Sequence, residues 1–125
     1  MNLSLATSAA RAASAKTLEE TVVLDVGDLI GITDYFVITG GRNDRQVRAV
    51  VEEVKRSAKA AGATLLRSEG LHDARWVLLD YGDLVVHVLD AEARGYYALE
   101  RLWSDAPRVE WSDEDDLTGA AAPSH

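Results

Sequence analysis

The stretch Trp76-Val-Leu-Leu-Asp80-Tyr-Gly82-Asp83-Leu-Val-Val-His87-Val-Leu89 decides how this chain folds. Two apolar, β-branched runs are parted by Gly82-Asp83, a pair suited to a two-residue hairpin turn because glycine accepts the positive φ such turns need. That turn sets a register: Tyr81 faces Leu84, Asp80 faces Val85, Leu79 faces Val86, Leu78 faces His87, Val77 faces Val88 and Trp76 faces Leu89. Side chains alternate across a strand, so Val77, Leu79, Tyr81, Leu84, Val86 and Val88 share a face without charge, which belongs in a core. The opposite face carries Trp76, Leu78, Asp80, Val85, His87 and Leu89. Such a face is either covered by the protein's own helix or offered to a partner, and the pattern alone leaves both open.

Outward from the hairpin, Glu69-Gly-Leu-His-Asp-Ala74 reads as a polar loop and Ala63-Thr-Leu-Leu-Arg67 as a short strand. Before them lies a strongly marked helix. Asn43 with Gln46 three residues on is a capping-box-like start, Val47, Val50, Val51, Val54, Ala58 and Ala61 recur on one face, and Gly62 is a stop. The basic residues Arg45, Arg48, Lys55, Arg56 and Lys59 are interspersed with Glu52 and Glu53, the pattern of a solvated face. Further upstream, Thr21–Val26 and Asp34–Thr39 read as strands, and residues 4–16 as an Ala-rich helix with a weak stripe of Leu5, Ala9, Ala12 and Ala13. After the hairpin, Asp90 caps a final helix whose apolar side is expected to be Tyr96, Leu99, Leu102 and Trp103, with Pro107 at its end. The expected closure is a single α/β domain: a mixed sheet of about five strands flanked by about three helices. Residues 1–106 are expected to form that domain, and residues 107–125 an acidic, disordered tail.

The chain has 125 residues, enough for one core without staples, and no cysteine, which removes disulfides, thiolate zinc sites and thiol catalysis. No apolar run approaches the roughly 20 residues of a membrane span, and the start lacks the basic-then-apolar layout of a secretory signal. Net charge is −8. Half of it lies in the tail, where Arg108 stands against Glu110, Asp113, Glu114, Asp115 and Asp116. A mildly acidic folded part disfavours direct DNA or RNA binding, which draws its affinity from cationic neutralisation of phosphate, and is compatible with a basic protein partner.

Catalytic groups are present without a specific arrangement. Asp25, Asp34 and Asp80 lie on or beside strands and could converge on Mg²⁺, yet no Asp-x-Asp pair places two carboxylates on one strand face and no phosphate-binding loop accompanies Gly40-Gly41. Glu69, His72 and Asp73 fit an exposed loop, His87 fits a structural or interface role, and no serine sits in a nucleophile elbow. No metal or cofactor is expected.

Several blocks in order, Leu24-Asp25-Val26, Thr33-Asp-Tyr-Phe-Val-Ile38, Gln46-Val47, Glu69-Gly70, Trp76 through His87 and Arg94-x-Tyr-Tyr-x-Leu-Glu-x-Leu-Trp103, resemble the ribosomal silencing factor RsfS, or Iojap-like, family over about residues 4–105. The resemblance implies a nucleotidyltransferase-like topology without enzymatic use. It implies a cytoplasmic protein that binds ribosomal protein L-fourteen on the large subunit, blocks small-subunit joining when nutrients are scarce, and forms homodimers off the ribosome. On that footing the expected docking surface is Trp76, Leu78 and Asp80, flanked by Glu69, Asp73 and Tyr81. A large-subunit assembly factor using the same surface, and a divergent metal-dependent nucleotidyltransferase using Asp25, Asp34 and Asp80, are the alternatives.

Overall fold

The structure, a computed structural model, describes residues 2–111. In chain order the elements are α1 (Asn2–Ser14), β1 (Val22–Asp25), the single turn α2 (Gly27–Ile30), β2 (Tyr35–Gly41), α3 (Asp44–Ala60), β3 (Arg67–Glu69), β4 (Trp76–Asp80), β5 (Leu84–Asp90), α4 (Ala91–Tyr97), the single turn α5 (Leu99–Leu102) and β6 (Arg108–Val109). The strands build one mixed sheet of six in the order β3-β4-β5-β2-β1-β6. Its central pair, β2 with β5, is parallel, and the other pairings are antiparallel.

The β4–β5 hairpin has the register that a two-residue turn dictates, from Trp76 opposite Leu89 to Asp80 opposite Val85. The Tyr81 N–H donates to the Leu84 carbonyl at 2.8 Å, and Gly82 takes φ +90°. Asp80 Oδ1 accepts from the Gly82 N–H at 2.8 Å, so this carboxylate also secures its own turn. At the head of α3, Asn43 accepts from the Gln46 N–H while Gln46 Oε1 accepts from the Arg42 N–H, fixing the helix entry. Val47, Val50, Val51, Val54 and Ala58 are buried as their spacing predicts, whereas Ala61 is the exposed C-cap.

The sheet's two faces are covered unequally. On one face, α1 and α3 lie over Val23, Val37, Val77, Leu79, Leu84, Val86 and Val88. The alanines of α1 make this possible, because Ala6, Ala9, Ala10 and Ala13 let the helix approach closely and are themselves buried. The other face holds Val22, Leu24, Val26, Phe36, Ile38 and Leu89, but its cover consists of Ala93 of α4, Leu99 of α5, Ala106 and part of Trp103. Trp76, Leu78 and Val85 are left half-buried there.

Three expectations need correction. The strand expected at 63–67 begins at Arg67 instead and runs to Glu69, because pairing with β4 sets its register and Leu66 only starts the ladder by donating to the Asp80 carbonyl. The final helix is broken at Ala98, which adopts φ +48°. Helical periodicity does not carry across that break, so Leu99 is buried while Tyr96 and Leu102 are exposed. Lastly, the fold continues past residue 106. β6 adds to the free edge of β1, Asp25 N–H donates to the Pro107 carbonyl at 2.9 Å, and Trp111 Nε1 donates to the Thr21 carbonyl at 3.0 Å. The tail expected to be disordered lies, after Trp111, outside the described residues.

Candidate protein-docking site

Trp76, Leu78 and Asp80 stand at alternate positions of β4, beside Val85, His87 and Leu89 of β5. On the other flank β3 sets Arg67 opposite Asp80 and Glu69 opposite Leu78, so both belong to the same face. Arg67 and Glu69 form an exposed ion pair at 3.4 Å, which at a surface contributes little to stability. Asp73 is exposed on the turn leading into β4, a turn tied to α3 by Arg48 Nη2 donating to the His72 carbonyl at 2.8 Å. Gly70, which opens that turn at φ +87°, has the Trp76 carbonyl where a Cβ would fall, at 2.0 Å, so no side chain fits there. Tyr81 is placed elsewhere. It packs on the α3 side of the sheet beside Leu65, Lys55 and Lys59, and burial pushes its hydroxyl pKa up.

Trp76 is held on two sides. Its indole Nε1–H donates to His87 Nδ1 at 3.1 Å. The Tyr97 ring lies 4.7 Å from it, tilted by 50°, and Tyr96 meets Tyr97 edge-on at 4.9 Å. His87, only 6% exposed, is in turn met edge-on by Phe36 at 4.7 Å. Desolvation lowers the His87 pKa to about 4, so the ring is neutral at neutral pH. Outside this stack, Arg75, Trp76, Glu92, Ala93, Tyr96 and Tyr97 line an open cleft of about 420 Å³. Arg75 bridges its rim, with Nη2 at 3.0 Å from Glu92 and Nε at 3.9 Å from Asp90.

Sequence reasoning missed Arg75, Glu92 and the exposed role of Tyr96 and Tyr97, which are 81% and 49% exposed. A signal was available: neighbouring helical residues point about 100° apart, so Tyr96 and Tyr97 cannot both sit on one narrow buried stripe.

The carboxylates proposed for a metal do not gather. Asp25 and Asp34 join Asp28 and Asp83 around a cleft of about 440 Å³ by the hairpin turn, and Asp80 is not among its lining residues. Among the described residues, no group of three or more His, Asp or Glu side chains could hold a metal ion. Nor is any described helix long and apolar enough to cross a membrane.

The family model for "ribosomal silencing factor during starvation" matches residues 2–125. The chain belongs to the RsfS family. It is 44% identical over 99 residues to the ribosomal silencing factor RsfS of Bacillus subtilis, a match covering 79% of this chain and 84% of the relative. A more distant relative, 32% identical over 85 residues (66% of this chain, 37% of the relative), is the mouse protein named mitochondrial assembly of ribosomal large subunit protein 1. Among solved structures, a protein from Chromobacterium violaceum superposes with a TM-score of 0.80 at 29% identity, covering 90% of this chain and 92% of its own. One from Bacillus halodurans superposes at 0.71 with 41% identity, covering 86% and 95%. The two solved structures share this chain's α/β architecture, and membership of the ribosomal silencing factor family ties this chain to the ribosome and to translation.

Proposed function

We propose that this RsfS-family protein docks through Trp76, Leu78 and Asp80 on ribosomal protein L-fourteen of the large subunit. Bound there, it excludes the small subunit by its volume and so represses translation in the cytoplasm when nutrients are scarce. The match to the silencing family over residues 2–125 carries this reading. The half-covered sheet face supports it, because a Trp ringed by aromatic and charged side chains is the kind of anchor that dominates protein interfaces. Asp80, Glu69 and Asp73 outweigh Arg67, which pairs with Glu69, and leave a net negative rim, complementary to a basic partner and serving orientation more than affinity. Silencing by occlusion requires no catalytic step, which accords with the regulatory names of the relatives. Off the ribosome the same family reading implies a homodimer.

Since Trp76 is already largely buried, less than about 90 Å² of it remains for a partner to cover, worth up to about 2 kcal/mol. The indole is pre-ordered, so little of that is lost to immobilisation. Trp76→Ala is therefore expected to weaken binding to isolated large subunits by about 2 kcal/mol, roughly thirtyfold, with the circular dichroism spectrum unchanged. In sedimentation, wild-type protein should co-migrate with free large subunits and deplete joined ribosomes. A folded Trp76→Ala variant that bound with wild-type affinity would overturn the docking assignment. The name of the mouse relative favours a second reading, large-subunit assembly through the same surface. Accumulation of immature subunits on depletion, without excess joining of mature ones, would support it.

A further inference from the structure

We infer that His87 is a positioning residue which takes up the single polar hydrogen of Trp76, so that the indole meets its partner as an apolar surface alone. The inference rests on the docking reading above and is tested separately from it.

An indole has one donor and no acceptor. In this protein that donor is spent internally, on His87 Nδ1 at 3.1 Å. The acceptor role fixes the imidazole's state: Nδ1 must be unprotonated, so a neutral ring carries its proton on Nε2. The low pKa of this buried ring is consistent with the neutral form. Nε2 is itself buried and finds no hydrogen-bond partner among the described residues. A buried donor left unmade is costly, so the site accepts an unsatisfied His87 N–H while satisfying the indole N–H. Two apolar side chains in these positions would avoid the cost but leave the indole orientation to packing alone. The hydrogen bond, with the Tyr97 ring 4.7 Å away on another side, leaves the indole little freedom to turn its N–H outward. The partner surface over Trp76 is thus expected to be aliphatic or cationic, because a hydrogen-bond acceptor placed there would find no donor.

The test uses the full chain with ¹⁵N-labelled tryptophan, in which the indole resonance of Trp76 is assigned by its absence in Trp76→Phe. In His87→Leu, which removes the acceptor at similar size, the Trp76 indole N–H signal should shift and exchange faster with solvent, while those of Trp103 and Trp111 stay in place. Binding to isolated large subunits should fall about tenfold, the equivalent of one lost hydrogen bond to a buried group. His87→Asn, whose side-chain oxygen can occupy the Nδ1 position, should restore both the signal and most of the affinity. If the Trp76 signal is the same in His87→Leu as in wild type, the positioning role is overturned. It is equally overturned if the signal moves but affinity does not, provided that Trp76→Ala does weaken binding. Should Trp76→Ala leave affinity intact while the His87→Leu signal moves, the docking reading fails and the internal hydrogen bond stands.

Discussion

At the scale of single residues, His87 couples the Trp76 face to acidity. Its pKa falls from 6.5 in the unfolded chain to about 4 in the folded one because burial penalises the cation. Between those values the unfolded state binds the extra proton, so the contribution of this group is fully present above pH 6.5 and is lost as pH falls toward 4. From pH 7 to pH 4.5 the loss is roughly 2–3 kcal/mol. Denaturant titrations at the two pH values should show His87→Leu losing less stability than wild type by about that difference; equal losses would show that His87 protonates freely in the folded state. The Trp76–His87 pair also marks where the sequence stops being readable. Alternation and the Gly82 turn place both residues on one face, and the structure agrees with the expected cross-strand pairs from Trp76–Leu89 to Asp80–Val85. Yet Trp76 lies opposite Leu89 and His87 opposite Leu78. The two meet on the diagonal, where only long or aromatic side chains reach, and whether they do depends on rotamers that a strand pattern does not carry.

At the scale of elements, the motif Arg94-x-Tyr-Tyr-x-Leu-Glu100 acquires a physical meaning. Arg94 spans the break at Ala98: Nε donates to Glu100 Oε2 at 2.8 Å, Nη2 to the same oxygen, and Nη1 to the carbonyl of Glu20. Six residues apart, Arg94 and Glu100 would not face each other on a continuous helix. They do so because Ala98 turns the chain in the left-handed region. This clamp holds α4, and with it Tyr97 against Trp76. Arg94 and Glu100 are 14% and 21% exposed at their side chains, so removing one partner leaves a largely desolvated charge. Arg94→Ala is expected to cost about 2–4 kcal/mol and to loosen the Tyr97 ring, readable as lost near-ultraviolet dichroism together with a lower melting temperature. A variant that melts like wild type would show the clamp to be incidental. The break itself was not legible, because alanine is the strongest helix former and nothing local announces that it will leave the helix. α3, by contrast, was readable from Asn43 to Ala58, because its cap, stripe and stop all point to one answer, with only Ala61 misplaced as a buried residue.

At the scale of the whole molecule, the fold closes later in the chain than composition implies. The acidic run after Pro107 reads as unable to order itself, but the two residues of β6 need little burial of their own when β1 offers an unpaired edge and Trp111 finds a carbonyl on Thr21. Edge pairing between distant segments has no local signature, so the reading stopped one strand short. A chain ending at residue 111 should be more stable than one ending at residue 106 by at least about 2 kcal/mol, the worth of the lost hydrogen bonds and the uncovered apolar surface. Equal urea midpoints for the two would remove β6 and Trp111 from the folded unit.

The parallel pairing of β2 with β5 sets the order in which these parts can come together. The β4–β5 hairpin is local and can form early, but β5 reaches β2 only after residues 42–83 have been looped out and folded back, and long-range pairing of this kind is slow to close. The Trp76 face needs that closure, since Phe36, which backs His87, sits on β2 and Tyr97, which flanks Trp76, follows β5. An intermediate with the hairpin alone would show Trp76 without its support. Completion of folding and ordering of the Trp76 face are then one kinetic event, and a chain still on its way to the native state lacks the supported indole.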